Sequence, residues 1–268
     1  MPRQPRVAHH LDTAAARLRQ LKMLSPFNEK TPKGEALGYL TAILYLAPHT
    51  LGGGATLCPH STEACRAACL YSAGRGRTPR VERARLRRTG LWLNDRDRFF
   101  DELVGDLVHV QRVARSEGLV MAIRLNGTSD ILWERETLDG KTLFDLFPDA
   151  VFYDYTRVPL RHRHVPPNWR LTYSLADAPI RTGLEYLRSG RNIAVVVPEA
   201  VQERLAGTWV SISDDATAEF INGDEHDLRF LDPSPAIVLL RPKGRARRGG
   251  AMVRPTIFQD LIQARRTM

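Results

Sequence analysis

The segment LVMAIRLNGTSD, residues 119–130, shows the pattern that decides the fold of this chain. Its first half is mostly apolar and contains the aliphatic side chains that favour buried strands, and its last five residues are polar or glycine. A buried strand that ends in a polar loop is typical of α/β proteins with a parallel sheet. The rest of the chain repeats this pattern.

Apolar runs of the same kind alternate with helical segments along the chain. They predict strands at residues 39–47, 119–125, 150–155, 170–174, 192–197, 208–212, 219–221 and 236–240. Apolar spacing predicts a long helix over 80–117, a second over 180–189 and a last over 256–267. About eight short strands with interleaved helices predict an α/β fold, a small TIM-like (β/α) barrel. We expect the barrel to be irregular, because the gap between the sixth and seventh strands is too short for a helix.

The ends of the chain and its apolar runs define the expected domain organisation and location. Residues 1–35 are predicted to form an N-terminal arm with one helix over 13–24, and residues 36–268 a single catalytic domain. The longest apolar runs are far shorter than the roughly 20 residues that a membrane span needs. The start of the chain, MPRQPR, lacks the apolar region of a secretory signal. We therefore expect no membrane association and a cytoplasmic location.

The net charge of +9 is concentrated in two basic segments, residues 75–88 and 241–248. Such segments attract phosphates, so they predict binding to nucleic acid. The alternative is a solvated basic surface in a protein that prefers arginine to lysine. The predicted phosphate contacts are Arg75, Arg77, Arg80, Lys243, Arg245, Arg247 and Arg248.

All three cysteines of the chain, Cys58, Cys65 and Cys69, lie close together after the first predicted strand. An odd number of cysteines in a cytoplasmic protein argues against a disulfide framework, and clustered thiolates favour a soft metal. Zinc is the predicted ion, with His60 as the candidate fourth ligand. A four-iron four-sulfur cluster with an open position is the alternative.

Polar residues gather where the predicted strands end, which is where parallel barrels place their catalytic groups. The candidate catalytic residues are Asp130, Asp154 and Asp224. Each has a structural alternative: a helix cap for Asp130, an unspecified structural role within its strand for Asp154 and a turn for Asp224. The candidate substrate-binding residues are Arg124, Asn126, Ser129, Tyr153, Tyr173 and Ser174.

Several of these motifs together resemble a known family of bacteriophage enzymes. The motifs are LAPHT at 46–50, LCPH at 57–60, AACLYSAGRG at 67–76, RLNGTSD at 124–130, FYDYT at 152–156 and GDEHDLRFLDP at 223–233. They resemble phage proteins similar to tRNA-guanine transglycosylases, which insert 7-deazaguanine bases such as preQ0 into DNA. The resemblance implies a glycosyltransferase of the pentosyltransferase class, with a barrel fold and a metal site near the nucleic acid. It also implies an aspartate that attacks C1′ of a deoxyguanosine and a second aspartate that holds the base.

Two other functions fit the same residues. The tRNA enzymes carry a Cys-x-Cys-x2-Cys zinc motif near the end of the barrel, whereas this cysteine cluster is N-terminal and more widely spaced. One alternative is therefore a radical S-adenosylmethionine enzyme, in which the three cysteines hold a four-iron cluster. The other is a zinc-stabilised nucleic-acid-binding module without catalytic aspartates.

Overall fold

The described residues form a sheet of nine strands, one more than the sequence predicts. The structure is a computed structural model that describes residues 14–18, 20–26 and 31–266, apart from the side chains of residues 31, 32, 75, 77 and 266. All eight predicted strands are confirmed, and a short ninth strand precedes them. The strands are β1 Leu24–Ser25, β2 Tyr39–Leu44, β3 Val120–Arg124, β4 Val151–Thr156, β5 Trp169–Ser174, β6 Ile193–Val196, β7 Trp209–Ser211, β8 Thr217–Asn222 and β9 Ala236–Leu240.

The sheet order is β1-β2-β3-β4-β5-β6-β9-β8-β7. β1 and β7 pair antiparallel with their neighbours at the two edges, and all pairs between β2 and β8 are parallel. The hairpin between β7 and β8 follows from their short connection, which leaves no room for a crossover helix. The α/β class is therefore confirmed, and within the described residues the sheet is open rather than a closed barrel.

Eight α-helices accompany the strands in the described part of the chain. They are α1 Thr31–Ala36, α2 Glu63–Ala67, α3 Pro79–Asn94, α4 Arg96–Ser116, α5 Leu143–Leu146, α6 Ile180–Arg188, α7 Glu199–Leu205 and α8 Ile257–Arg266. The helical region predicted over 80–117 is confirmed, but it consists of two helices, because the chain breaks at Asp95. The backbone of Asp95 is not helical (φ −150°, ψ 73°), and its side chain accepts a hydrogen bond from the Arg98 N–H, so that it caps α4. None of the described helices combines the length and the apolar character that crossing a membrane requires.

The helix predicted over 13–24 is wrong, because the described residues of this segment do not form one continuous helix. A 3-10 helix covers Ala14–Leu18, and the chain then becomes extended at β1. The Asp106 carboxylate on α4 accepts hydrogen bonds from the backbone N–H groups of residues 22, 23 and 24, which holds this segment against the sheet. The side chain of Leu18 is buried in the same core as α4, so this part of the predicted arm packs into the main domain. Residues 1–13 lie outside the described residues.

The two faces of the sheet have different chemistry. On one face, apolar side chains such as Phe152 and Leu171 pack in the core that also holds the buried side chains of α4. On the opposite face lie Arg124 and Tyr153, which contact the segment of residues 223–232 that follows β8. We call these the helix face and the inner face. The face on which a strand-end residue lies decides what its side chain can reach.

Candidate active site

The cysteine loop, residues 45–78, joins β2 to α3 and lies over the end of β3. Cys58 connects the two: its sulfur accepts a hydrogen bond from the His49 N–H (3.4 Å) and donates one to the Thr128 carbonyl (3.8 Å). The Asp130 N–H donates to the Leu57 carbonyl (2.8 Å), a second connection between the same segments. The loop is therefore fixed beside the polar residues that follow β3.

The three thiols are half-buried and form no disulfide. Burial raises the pKa of all three, and that of Cys58 reaches about 12. The charges of Cys65, Cys69 and Asp130 raise the pKa of Cys58 further, so these groups share one neighbourhood. The thiols are therefore protonated at neutral pH unless a cation stabilises their thiolates.

The metal site predicted from the cysteines is not formed in the described residues. No three side chains among histidine, cysteine, aspartate and glutamate stand there in an arrangement that holds an ion. The ring of His60 stacks on that of His162, with centroids 6.2 Å apart, and the His60 carbonyl accepts a hydrogen bond from Arg157 Nε. Three neighbouring thiols are nevertheless a donor set that suits zinc or an iron-sulfur cluster. The metal and its fourth ligand stay predictions.

Asp130 lies beyond the end of β3 and is held by the end of β4. Its carboxylate accepts hydrogen bonds from Thr156 Oγ1 (2.8 Å) and the Arg157 N–H (2.7 Å), and the Arg163 guanidinium is 3.9 Å away. Burial raises the pKa of this carboxyl group, and the two hydrogen bonds and Arg163 oppose the rise. The following 3-10 helix has Leu132 as its N-cap, so the capping role weighed for Asp130 is wrong.

Asn126 and Ser129 organise the loop that carries Asp130. The Asn126 amide oxygen accepts hydrogen bonds from Ser129 Oγ, the Ile131 N–H and Trp133 Nε1, and its amide nitrogen donates to the Ile131 carbonyl. Trp133 is fully buried, so it cannot stack on a substrate base. These polar atoms are therefore used within the protein, where they position Asp130.

Asp154 has a different environment, because it lies on the helix face of β4. It is 0% exposed, and it accepts hydrogen bonds from the N–H groups of Leu125 (3.3 Å) and Asn126 (2.8 Å) and from Trp169 Nε1 (3.1 Å). Burial raises its pKa to about 7, although Arg124 and the three donors lower it. Asp154 thus anchors the backbone at the end of β3, and no ligand can reach it in this structure.

A ring of charged and aromatic side chains surrounds Asp130 at the ends of β4 and β5. Arg157 forms an ion pair with Asp177 (2.8 Å), and the charges of Arg157, Asp130 and Asp177 all act on the pKa of Tyr173, which burial raises. The Tyr173 ring stacks on that of Tyr186, with centroids 4.5 Å apart. Tyr173 is therefore near Asp130, as predicted. Ser174 follows it on β5 and is half-buried.

The structure also contains a buried ion pair near Asp130 that the sequence analysis did not predict. Arg163 forms it with Glu134 (2.9 Å). Their side chains are 0% and 2% exposed, and the Arg163 guanidinium lies over the Trp169 ring. Arg157 was not predicted as a site residue either, although its position directly after β4 could have indicated it. Nothing in the local sequence singles out Arg163, because the loop around it is basic throughout.

Arg124 and Tyr153 belong to the inner face and lie apart from the Asp130 loop. Arg124 forms an ion pair with Asp227 (2.9 Å), and its guanidinium lies 5.2 Å from the centre of the Tyr155 ring and 5.8 Å from that of Tyr153. Opposite charge raises the pKa of Arg124, although burial opposes this. The six predicted substrate-binding residues are therefore divided between two places.

Asp224 fits its structural alternative, a turn after β8. Its carboxylate bonds Lys243 (3.0 Å) and accepts hydrogen bonds from the Arg241 N–H and from Gln202. These contacts lower its pKa, although burial opposes them. Asp224 thus holds the start of the second basic segment, and Lys243 is already paired with a carboxylate.

The predicted phosphate contacts whose side chains the structure describes are all on the surface. The exposed residues are Arg80, Lys243, Arg245, Arg247 and Arg248. Two arginines of the first segment, Arg85 and Arg88, are buried, which removes them from any surface contact. The side chains of Arg75 and Arg77 lie outside the described residues.

Comparison with known families, proteins and structures gives one match. A family model described as Gene product 88 matches residues 19–255 of the chain. No curated protein and no solved structure matches it.

Proposed function

The chain belongs to the Gene product 88 family, and we propose that it exchanges bases in DNA, replacing guanine by a 7-deazaguanine such as preQ0. The observation that carries the proposal is the meeting of the cysteine loop and Asp130 at the carboxyl ends of β2, β3 and β4. This is where α/β enzymes with parallel strands place their reacting groups. The open, mostly parallel sheet suits a partial (β/α) barrel.

Asp130 is the aspartate that we assign as nucleophile. A carboxylate oxygen attacks C1′ of the deoxyguanosine, the C1′–N9 bond breaks, and guanine leaves after taking up a proton. The incoming base then attacks C1′ through its own ring nitrogen, loses a proton, and releases the carboxylate. Asp154 is unsuited to this step, because the interior of the protein encloses it.

The substrate must come out of the DNA helix to reach Asp130. Extruding a nucleotide costs a few kcal/mol of stacking and pairing, which phosphate contacts of the exposed arginines would offset. Asp130 is only 7% exposed. We therefore expect the loop of residues 157–164 to move aside when DNA binds, because it carries Arg157 and Arg163, which lie against the Asp130 carboxylate.

The metal is the point on which the two enzymatic candidates differ. In base exchange, Cys58, Cys65 and Cys69 would hold a structural zinc as thiolates, with His60 as the fourth ligand. The position of the cysteine loop directly after β2, the first parallel strand, equally favours a four-iron cluster that binds S-adenosylmethionine. Elemental analysis of protein purified without oxygen separates them: about one zinc supports the first candidate, and about four irons with a visible absorption band support the second.

The proposal is tested by following a labelled base into DNA. The protein is incubated with duplex and single-stranded DNA of varied sequence and radiolabelled preQ0 or guanine, and acid-insoluble label is counted. Asp130→Asn should lower incorporation more than about 100-fold, the lower range for a catalytic group. Asp149→Asn, at an exposed position paired with Arg115, is the matched control and should stay within a few-fold. No incorporation by intact protein, or equal activity of Asp130→Asn, would count against base exchange and favour the non-catalytic zinc module.

A further inference from the structure

A cavity of about 370 Å³ opens beside the cysteine loop, on the side of Cys69. Its volume lies in the range of roughly 300–1,000 Å³ that is usual for small-ligand sites. The wall combines residues of the cysteine loop with one residue of α3, Glu82, and one of the second basic segment, Arg245. Segments that are distant in the sequence therefore meet at this cavity.

Within the described residues, two guanidinium groups line the cavity without a carboxylate partner. Among these residues, Arg66 donates hydrogen bonds only to the backbone carbonyl and hydroxyl of Ser61. In the described part of the chain, the Arg245 side chain has no ion pair and no hydrogen bond. Among the described residues, the one acid on the wall is Glu82, which accepts a hydrogen bond from the Tyr71 hydroxyl. With two arginines against one carboxylate, the wall carries more positive than negative charge.

The contact that brings Arg245 to the cavity requires a glycine. Gly244 has φ +54°, and a Cβ atom added there would lie 2.8 Å from Ser72 Oγ. The next residue donates its backbone N–H to the same hydroxyl (3.4 Å). Because a side chain at Gly244 would meet this surface and strain the backbone, the glycine allows the second basic segment to dock on the cysteine loop.

We infer that this cavity binds a phosphate group of the DNA strand, gripped between Arg66 and Arg245 beside Cys69. Two guanidinium groups that converge on one opening can each offer paired N–H donors to phosphate oxygens. The choice of a DNA strand rests on the proposed function. The phosphate of a free mononucleotide has the same chemistry, and the test separates the two sources.

Fluorescence anisotropy with a labelled single-stranded oligodeoxynucleotide, at several salt concentrations, tests this site. Arg66→Ala and Arg245→Ala should each weaken binding about 10-fold and reduce the slope of log affinity against log salt by about one. Arg112→Ala is the matched control, because it removes the same charge from an exposed position on α4 that does not line the cavity. It should weaken binding less than about 2-fold. Gly244→Ala should reproduce the effect of Arg245→Ala.

The outcomes separate this site from a diffuse basic surface and from base exchange itself. If Arg112→Ala weakens binding as much as the cavity variants do, or if the cavity variants leave binding unchanged, the inference is wrong. If unlabelled deoxyguanosine monophosphate competes at the affinity of the oligonucleotide, the site takes a mononucleotide and the DNA assignment fails. If DNA binding depends on Arg66 and Arg245 but no base exchange occurs, the phosphate site stands and the proposed function is wrong. If base exchange occurs and both cavity variants bind DNA as the native protein does, the proposed function stands and the phosphate site is wrong.

Discussion

Replacing Asp154 by asparagine should remove a loss of folding free energy that the native protein suffers as pH rises. Burial raises the pKa of Asp154 to about 7 from an ordinary value of 3.8. A carboxyl group whose pKa is raised in the folded state stabilises the fold fully below its unfolded pKa and loses this contribution as pH rises through the folded pKa. Each pKa unit is worth about 1.4 kcal/mol, so ionisation of Asp154 should cost about 4 kcal/mol between pH 4 and pH 8. Asparagine cannot ionise and should not show this loss.

The variant also has a pH-independent cost. All three partners of the Asp154 side chain are N–H donors, and the amide nitrogen of asparagine cannot accept from them. Each donor left without an acceptor costs about 1–3 kcal/mol. Asp154→Asn should therefore be less stable than the native protein near pH 5, and the difference should shrink steadily towards pH 8.

Urea unfolding, followed by tryptophan fluorescence at several pH values between 4.5 and 8, measures this difference. Asp149→Asn is a control on the surface, where a substitution should change stability by less than about 0.5 kcal/mol. A difference between native protein and Asp154→Asn that stays constant with pH, or grows as pH rises, would refute the reasoning. It would mean that the three donors outweigh burial and keep Asp154 ionised.

Two further substitutions test the packing around the candidate site. Gly127→Ala should lower the free energy of unfolding by about 1–3 kcal/mol in urea titrations, because its Cβ would lie 2.7 Å from the Leu44 carbonyl oxygen; unchanged stability would show that β2 and the loop after β3 are less tightly packed. Asp106→Ala should cost about 3 kcal/mol or more, since it leaves the backbone N–H groups of residues 22–24 without their acceptor. Asp101→Ala, on an exposed position of the same helix, is its control, and equal melting temperatures for the two variants would contradict the assigned role of Asp106.

The strand prediction succeeded because each strand of a parallel sheet is recorded locally in its own sequence. A run buried on both faces has to be apolar along its length, and strands such as β2, β6 and β9 are buried in this way. The break at Asp95 was missed because apolar spacing continues across it, and only the capping geometry ends the helix there. β1 was missed because two residues carry no periodicity, and its place depends on the distant carboxylate of Asp106.

The candidate site shows the same division between local and distant information. The sequence alone located the cysteine cluster after the first parallel strand and Asp130 after the next, since both depend only on where strands end. Only the tertiary structure shows which aspartate a ligand could reach. Neighbouring residues of a strand point to opposite faces of the sheet, and Asp154 points to the helix face, where it is buried. Only the tertiary structure shows that Arg245 lies at the cysteine loop and that Arg85 is buried. Charge interactions and burial depend on distances in space, and the local sequence of two distant segments does not indicate that they will be in contact.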